Sequence, residues 1–148
     1  MNTKELYAFR SKSMTKVKKM LTKKGCKITS ITAAEKKSNV ADFKLDGNYT
    51  KVKAAQNHNV NILFESINNS NYGWVVTTKA KWFIMYYEAD EIAYIISVEK
   101  VRDYINNPLH IIPTTGKGAR GNRGSESYMI PIDTLREYDI IVDTLHKE

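Results

Sequence analysis

The chain predicts an α+β fold, with a mixed central β-sheet flanked by helices. Three observations lead there: a helix-period stripe opens the sequence, several short alternating runs separated by turn residues come next, and helical stretches appear again towards its end. With 148 residues, 42% of them apolar, the chain has room for one domain with a real core, and 1–148 is expected to form a single unit.

Within the basic segment 1–25, Lys4 to about Lys24 reads as an amphipathic helix. Leu6, Phe9, Val17, Met20 and Leu21 approximate one stripe, and Lys12, Lys16, Lys19 and Lys23 take the wet side. Gly25 is a natural stop. Cys26 to Thr32 is a short β-rich run, followed by a basic loop at Lys36 and Lys37. Val40 to Leu45 alternates, with Ala41, Phe43 and Leu45 apolar and Asp42 and Lys44 polar. Asp46-Gly47-Asn48 predicts a hairpin turn, because glycine tolerates the positive φ such turns demand. Tyr49 to Ala54 returns, and the period of two places Asp42, Lys51 and Lys53 on one face.

Asn59 to Ile67 is apolar on both faces apart from Glu65, which predicts a central strand. Asn68 to Gly73 reads as a loop and Trp74 to Lys79 as a helical turn. Trp82–Tyr87 and Ile92–Ser97 form two strands joined at Ala89-Asp90, and Val98 to Asn107 is helical. Residues 108–127 hold four glycines and three basic side chains and predict a mobile loop. Tyr128–Pro131 is a short strand, and Ile132 to Lys147 is expected to be a C-terminal helix.

Charge narrows the function classes. The net charge is +7, yet residues 1–37 set eleven basic groups against Glu5 and Glu35, whereas the remainder holds twelve basic and fourteen acidic groups. A basic block of this kind suits a phosphate backbone, since each neutralised phosphate releases counterion; a solvated helix face is the plainer alternative. The longest apolar run, Trp82 to Tyr87, falls far short of the ~20 residues a membrane span needs. Lysines stud the first twenty residues where a signal peptide would be apolar, and a single cysteine, Cys26, fits a reducing setting. A cytoplasmic location is expected.

Gly116-Lys117-Gly118-Ala119-Arg120-Gly121 matches GxGxxG literally, but it lacks the βαβ context of a dinucleotide site. It reads either as a loop whose Lys117, Arg120 and Arg123 touch phosphates, or as a surface loop without a role. His58, His110 and His146 are scattered without metal-ligand spacing, and Cys26 has no histidine near it in sequence, so a buried, inert thiol is expected. The informative cluster is Asp42, Lys51, Lys53 and Glu65. Carboxylates on neighbouring strands hold a hard dication through oxygen, the ion polarises a phosphodiester and activates water, and a lysine offsets developing charge. The alternative is a half-exposed sheet face on which Asp42 merely pairs with Lys51, worth ~0.2–1 kcal/mol.

From Asp42 to about Leu135 the sequence resembles phage-encoded members of the PD-(D/E)XK nuclease family. The resemblance runs through Asp42 and the hairpin, then Tyr49-Thr50-Lys51-Val52-Lys53 at the family's acid-Val-Lys. Asn59-Val60-Asn61-Ile62-Leu63-Phe64-Glu65-Ser66 is similar to its Asn-led strand, Tyr72-Gly73 and Thr77–Phe83 to its Ser-Gly and Thr-x-Ala-Asp segment, and Val101-Arg102-Asp103-Tyr104-Ile105 to its Leu-Arg-x-x-Ile helix. A Gly-rich basic loop and Met129-Ile130-Pro131-Ile132 come after these in the same order. The resemblance implies a restriction-endonuclease-like core. It also implies an Mg²⁺- or Mn²⁺-dependent phosphodiesterase acting on DNA, with Asp42 and Glu65 on the metal and Lys53 as catalytic lysine. Lys51, Lys79, Lys81, Lys117, Arg120 and Arg123 would contact nucleic acid.

Three departures weigh against cutting. Lys51 stands where the family has its metal-binding acid, Leu63 where it has a glutamate and Lys81 where it has an aspartate. At ~4 Å and an effective dielectric of about 20, each unit charge interaction is about 4 kcal/mol, so a lysine beside a dication opposes its binding. Two other readings therefore stand beside an active nuclease. One is a lapsed nuclease that binds nucleic acid or a protein partner, a phage or host protein or a second copy, without cleavage. The other is a structural or inhibitory protein that keeps the fold as scaffold.

Overall fold

The computed structural model describes residues 2–38, 40–68, 71–115 and 126–147. The fold is α+β, and the chain divides into two compact units. One comprises Met1–His58, Lys79–Ser97 and Ile141–Glu148, the other Asn59–Thr78 and Val98–Ile140. Among the described residues no helix is long and apolar enough to cross a membrane.

The first unit is a mixed sheet under a long helix. Helix α1 (Thr3–Lys23) starts at Asn2, whose side chain accepts from the Glu5 amide. Strand β1 (Ile28–Thr29), helix α2 (Ala33–Lys37), β2 (Phe43–Leu45) and β3 (Asn48–Ala55) come next, and β6 (Trp82–Tyr87), β7 (Ile92–Ser97) and β10 (Ile141–His146) complete six strands in the order β1-β2-β3-β6-β7-β10. Every pair is antiparallel except β3 with β6, which run parallel with Thr50 opposite Trp82 and Lys53 opposite Met85. The β2–β3 turn is Asp46-Gly47, with φ of 48° and 86°; positive φ at both central residues is the primed turn that matches strand twist. Val17 and Leu21 of α1 pack on Phe43, Leu45, Ile84, Tyr86, Ala93, Ile95 and Leu145. That core uses the alternate positions of each strand, so Val52 and Ala54 of β3 point towards α1 and the residues between them point away.

The second unit holds β4 (Asn61–Asn68), β5 (Asn71–Tyr72), α3 (Trp74–Thr77), α4 (Val98–Asn106), β8 (Thr114–Thr115), β9 (Glu126–Pro131) and α5 (Ile132–Glu137), with sheet order β5-β4-β9-β8. Ile62, Phe64 and Ile130 are buried there, and the Arg102 guanidinium ties α4 to the backbone carbonyls of Val75 and Thr78.

Four expectations need correction. Residues 132–147 are not one helix: α5 stops at Glu137, Asp139 takes a φ of 56°, and the β-branched run from Ile140 becomes β10 on the edge of the first sheet. The Asn59–Ile67 strand is interior to a separate four-stranded sheet, and it is not buried on both faces, since Val60 and Leu63 are exposed. The loop at Lys36 and Lys37 is the end of α2, nucleated by a capping box between Thr32 and Glu35. The β-rich run at Cys26–Thr32 yields strand only at Ile28–Thr29.

Candidate nucleic-acid interface

On the side of β3 away from α1 stand Tyr49, Lys51 and Lys53, and their neighbours extend this face in both directions. Lys44 of β2 pairs with Tyr49 in the ladder, and its ammonium lies 5.3 Å from the ring centroid. Lys81, one residue before β6, donates its amide to the Tyr49 carbonyl at 2.8 Å, and its ammonium sits 5.2 Å from the Trp82 ring centroid. Lys44, Lys51 and Lys53 thus share the face that carries Tyr49, and Lys81 adjoins it through the Tyr49 backbone. Lys53 and Lys81 are exposed and Lys44 and Lys51 half-buried; Lys79, two residues upstream of Lys81, is exposed too.

Asp42 lies just outside β2, where regular pairing ends. Its amide donates to the Thr50 carbonyl at 2.9 Å, and its carboxylate Oδ2 accepts from the Val52 amide at 2.7 Å. The side chain therefore completes the backbone pairing of β3. Glu65 belongs to β4 of the second unit, on the same strand face as the exposed Leu63. Two carboxylates expected on one sheet thus lie on different sheets. Lys117, Arg120 and Arg123 lie outside the described residues.

Asp42 and Lys51 together make a poor donor set for Mg²⁺ or Mn²⁺. A hard dication needs several oxygen ligands. Asp42 commits one carboxylate oxygen to an amide, and Lys51 brings a positive group to the same strand face.

Glu35 borders the lysine face from α2. The Tyr49 hydroxyl donates to its carboxylate, and this bond, with the Thr32 amide second, lowers the Glu35 pKa to about 2. A depressed carboxyl pKa adds stability that is complete above the ordinary value near 4.5 and is lost as pH falls towards 2. Glu35→Gln is therefore expected to flatten the fall in melting temperature between pH 4.5 and 2, measured by circular dichroism; an unchanged profile would remove this carboxylate from the acid response.

The histidines and the cysteine are explained locally. His58 meets the Tyr94 hydroxyl at 3.0 Å through Nε2 and the Asp90 carboxylate at 3.0 Å through Nδ1. His110 stacks on Tyr104 at 3.9 Å between centroids. Burial first, then nearby acids, push the Cys26 thiol above its ordinary pKa, away from the reactive thiolate. Sequence reasoning misses Lys44 and Tyr49 as site residues; the signal for them is an aromatic beside a lysine across a hairpin whose turn fixes its register.

In comparison with known proteins, no family model, no curated protein and no solved structure matches this chain.

Proposed function

We propose that this chain is a nucleic-acid-binding protein of restriction-endonuclease-like descent that holds the DNA backbone without cutting it. One observation carries the reading: Lys44, Lys51 and Lys53 share the face that carries Tyr49, with Lys81 at its edge, while the two carboxylates bordering it are engaged, Asp42 by the Val52 amide and Glu35 by the Tyr49 hydroxyl. Lys51 and Lys53 stand about 7 Å apart along β3, a spacing that lets one extended backbone reach both ammonium groups. Binding of this kind uses counterion release and tolerates any sequence. Replacement of metal-binding acids by Lys51 and Lys81 supports direct phosphate contact over contact through an ion.

Fluorescence anisotropy with a labelled duplex tests this. The expected result is a steep salt dependence, with a slope of about −0.9 per phosphate contacted. Changing Lys44, Lys51, Lys53 and Lys81 together to Gln should reduce that slope by about 3–4 and weaken binding at least about tenfold. A flat salt response, or an unchanged slope in the variant, would defeat the reading. If supercoiled DNA is nicked with Mg²⁺ or Mn²⁺, and nicking disappears in both Asp42→Ala and Lys53→Ala, the chain is instead an active nuclease.

A further inference from the structure

The opposite side of the same unit holds a groove of about 580 Å³, bounded by α1 on one wall and the end of β10 on the other. Lys16, Lys19, Met20 and Lys23 line it from the helix, at the i, i+3, i+4, i+7 positions of a single stripe. Met20 is the partly exposed apolar wall, over the buried Leu145 and Tyr86, and Glu91, Thr144, His146 and Lys147 supply polar edges.

The ion pairs are unevenly distributed along this groove. Lys16 is held by Glu88 and Glu91, and Lys147 also reaches Glu91 at 3.3 Å. Eight residues on, about 12 Å along the helix axis, Lys24 pairs with Asp143 at 2.6 Å. Between these two clusters, Lys19 and Lys23 face the groove one turn apart and make no ion pair among the described residues. Two ammonium groups at i and i+4 repel each other, so the arrangement costs stability unless an anion sits between them. Glu91 also lines the groove, but its carboxylate is engaged by Lys16 and Lys147.

We infer that this groove binds a phosphorylated small molecule of the nucleoside-monophosphate class, its phosphate between Lys19 and Lys23 and its base over Met20 and Leu145. Four features select that class. Two neighbouring ammonium groups match a dianionic phosphate. The volume suits one small molecule and is too small for a duplex. An apolar floor with a polar rim fits a flat ring that has hydrogen-bonding edges, and the exposed His146 imidazole lies at that rim. A fatty acid would need an apolar tunnel, whereas five lysines line this groove. The site is independent of the lysine face on the other side of the sheet, so either can fail alone.

Isothermal titration of the whole chain with adenosine 5′-monophosphate, inorganic phosphate, adenosine and a long-chain fatty acid tests the inference. The nucleotide should bind with one-to-one stoichiometry, at least about tenfold more tightly than phosphate or adenosine alone. The pair Lys19→Gln and Lys23→Gln should weaken it about tenfold or more with the far-ultraviolet spectrum unchanged, whereas Lys51→Gln with Lys53→Gln should leave it intact and reduce only DNA binding. In the native chain, nucleotide-induced amide shifts should concentrate at residues 16–24 and 144–147. Absence of nucleotide binding, equal binding of bare phosphate, preference for the fatty acid, or shifts centred elsewhere would overturn it.

Discussion

Phe43→Ala is expected to destabilise the first unit by about 3–5 kcal/mol, a large part of the ~5–15 kcal/mol that holds a typical domain together. Phe43 is 1% exposed although it stands on a strand of only three residues, and it packs with Val17 and Leu21 of α1 in the core between helix and sheet. Lys18 lies over its ring, with the ammonium 5.6 Å from the centroid, so truncation removes a cation–π contact as well as apolar area. A strand this short cannot collapse around the cavity, because the primed turn at Asp46-Gly47 fixes its register to β3. Denaturant unfolding should show the loss as a lower midpoint, and hydrogen exchange should show the amides of α1 losing protection with it. Phe43→Leu should recover most of the stability. A loss below about 1 kcal/mol in the alanine variant, well under the range for buried aromatics, would mean that α1 is held mainly by its ion pairs.

The elements legible in the sequence share a property: local chemistry and tertiary packing agree on them. The stripe of α1, the Asp-Gly hairpin and the apolar runs of β6 and β7 are each bounded by their own turn or stop signal. Legibility fails where local signals are incomplete. Ile132, Leu135 and Ile140 are buried and can be fitted to a helical stripe, but the chain reverses at Asp139, and the β-branched Ile140-Ile141-Val142 run is stabilised by pairing with β7, a partner more than forty residues away. The Asn59–Ile67 run reads as apolar on both faces because Val60 and Leu63 are apolar, yet both lie at the surface, where apolar residues are common. The capping box of α2 is spelled out as Thr32-x-x-Glu35 but lies within a lysine-rich stretch that reads as loop.

The candidate interface is partly legible for the same reason. A period of two is enough to set Lys51 and Lys53 together, and the structure adds Lys44, Tyr49 and Lys81 from neighbouring segments. What periodicity cannot express is where a carboxylate turns. Alternation alone would have Asp42 face outward with the lysines, and its hydrogen bond to the Val52 amide depends on the ladder ending at Phe43. The groove beside α1 is illegible altogether, because one of its walls is the strand whose residues fit a helical stripe.

Gly73→Ala is expected to destabilise the second unit by about 1–3 kcal/mol, the usual cost of forcing an extra methyl group into close packing. The constraint is contact, since the Gly73 backbone, at φ −73° and ψ 172°, is open to any residue. A Cβ placed there would lie 2.4 Å from the Glu65 carbonyl oxygen and 2.6 Å from its carbonyl carbon. Backbone is the obstacle, so no side-chain rotation relieves it. Gly73 also precedes α3 and donates its amide to the Ser66 carbonyl at 2.8 Å, which pins the start of that helix against β4. Relief would require this hydrogen bond to lengthen, or β4 to shift where its register with β9 already breaks, between Glu65 and Ile67. Thermal melting should show the loss, and faster exchange of the Gly73 amide should locate it. A variant with native stability and a protected amide at residue 73 would mean that β4 and α3 stand further apart in solution than this packing requires, and the orientation of Glu65 would have to be redrawn with them.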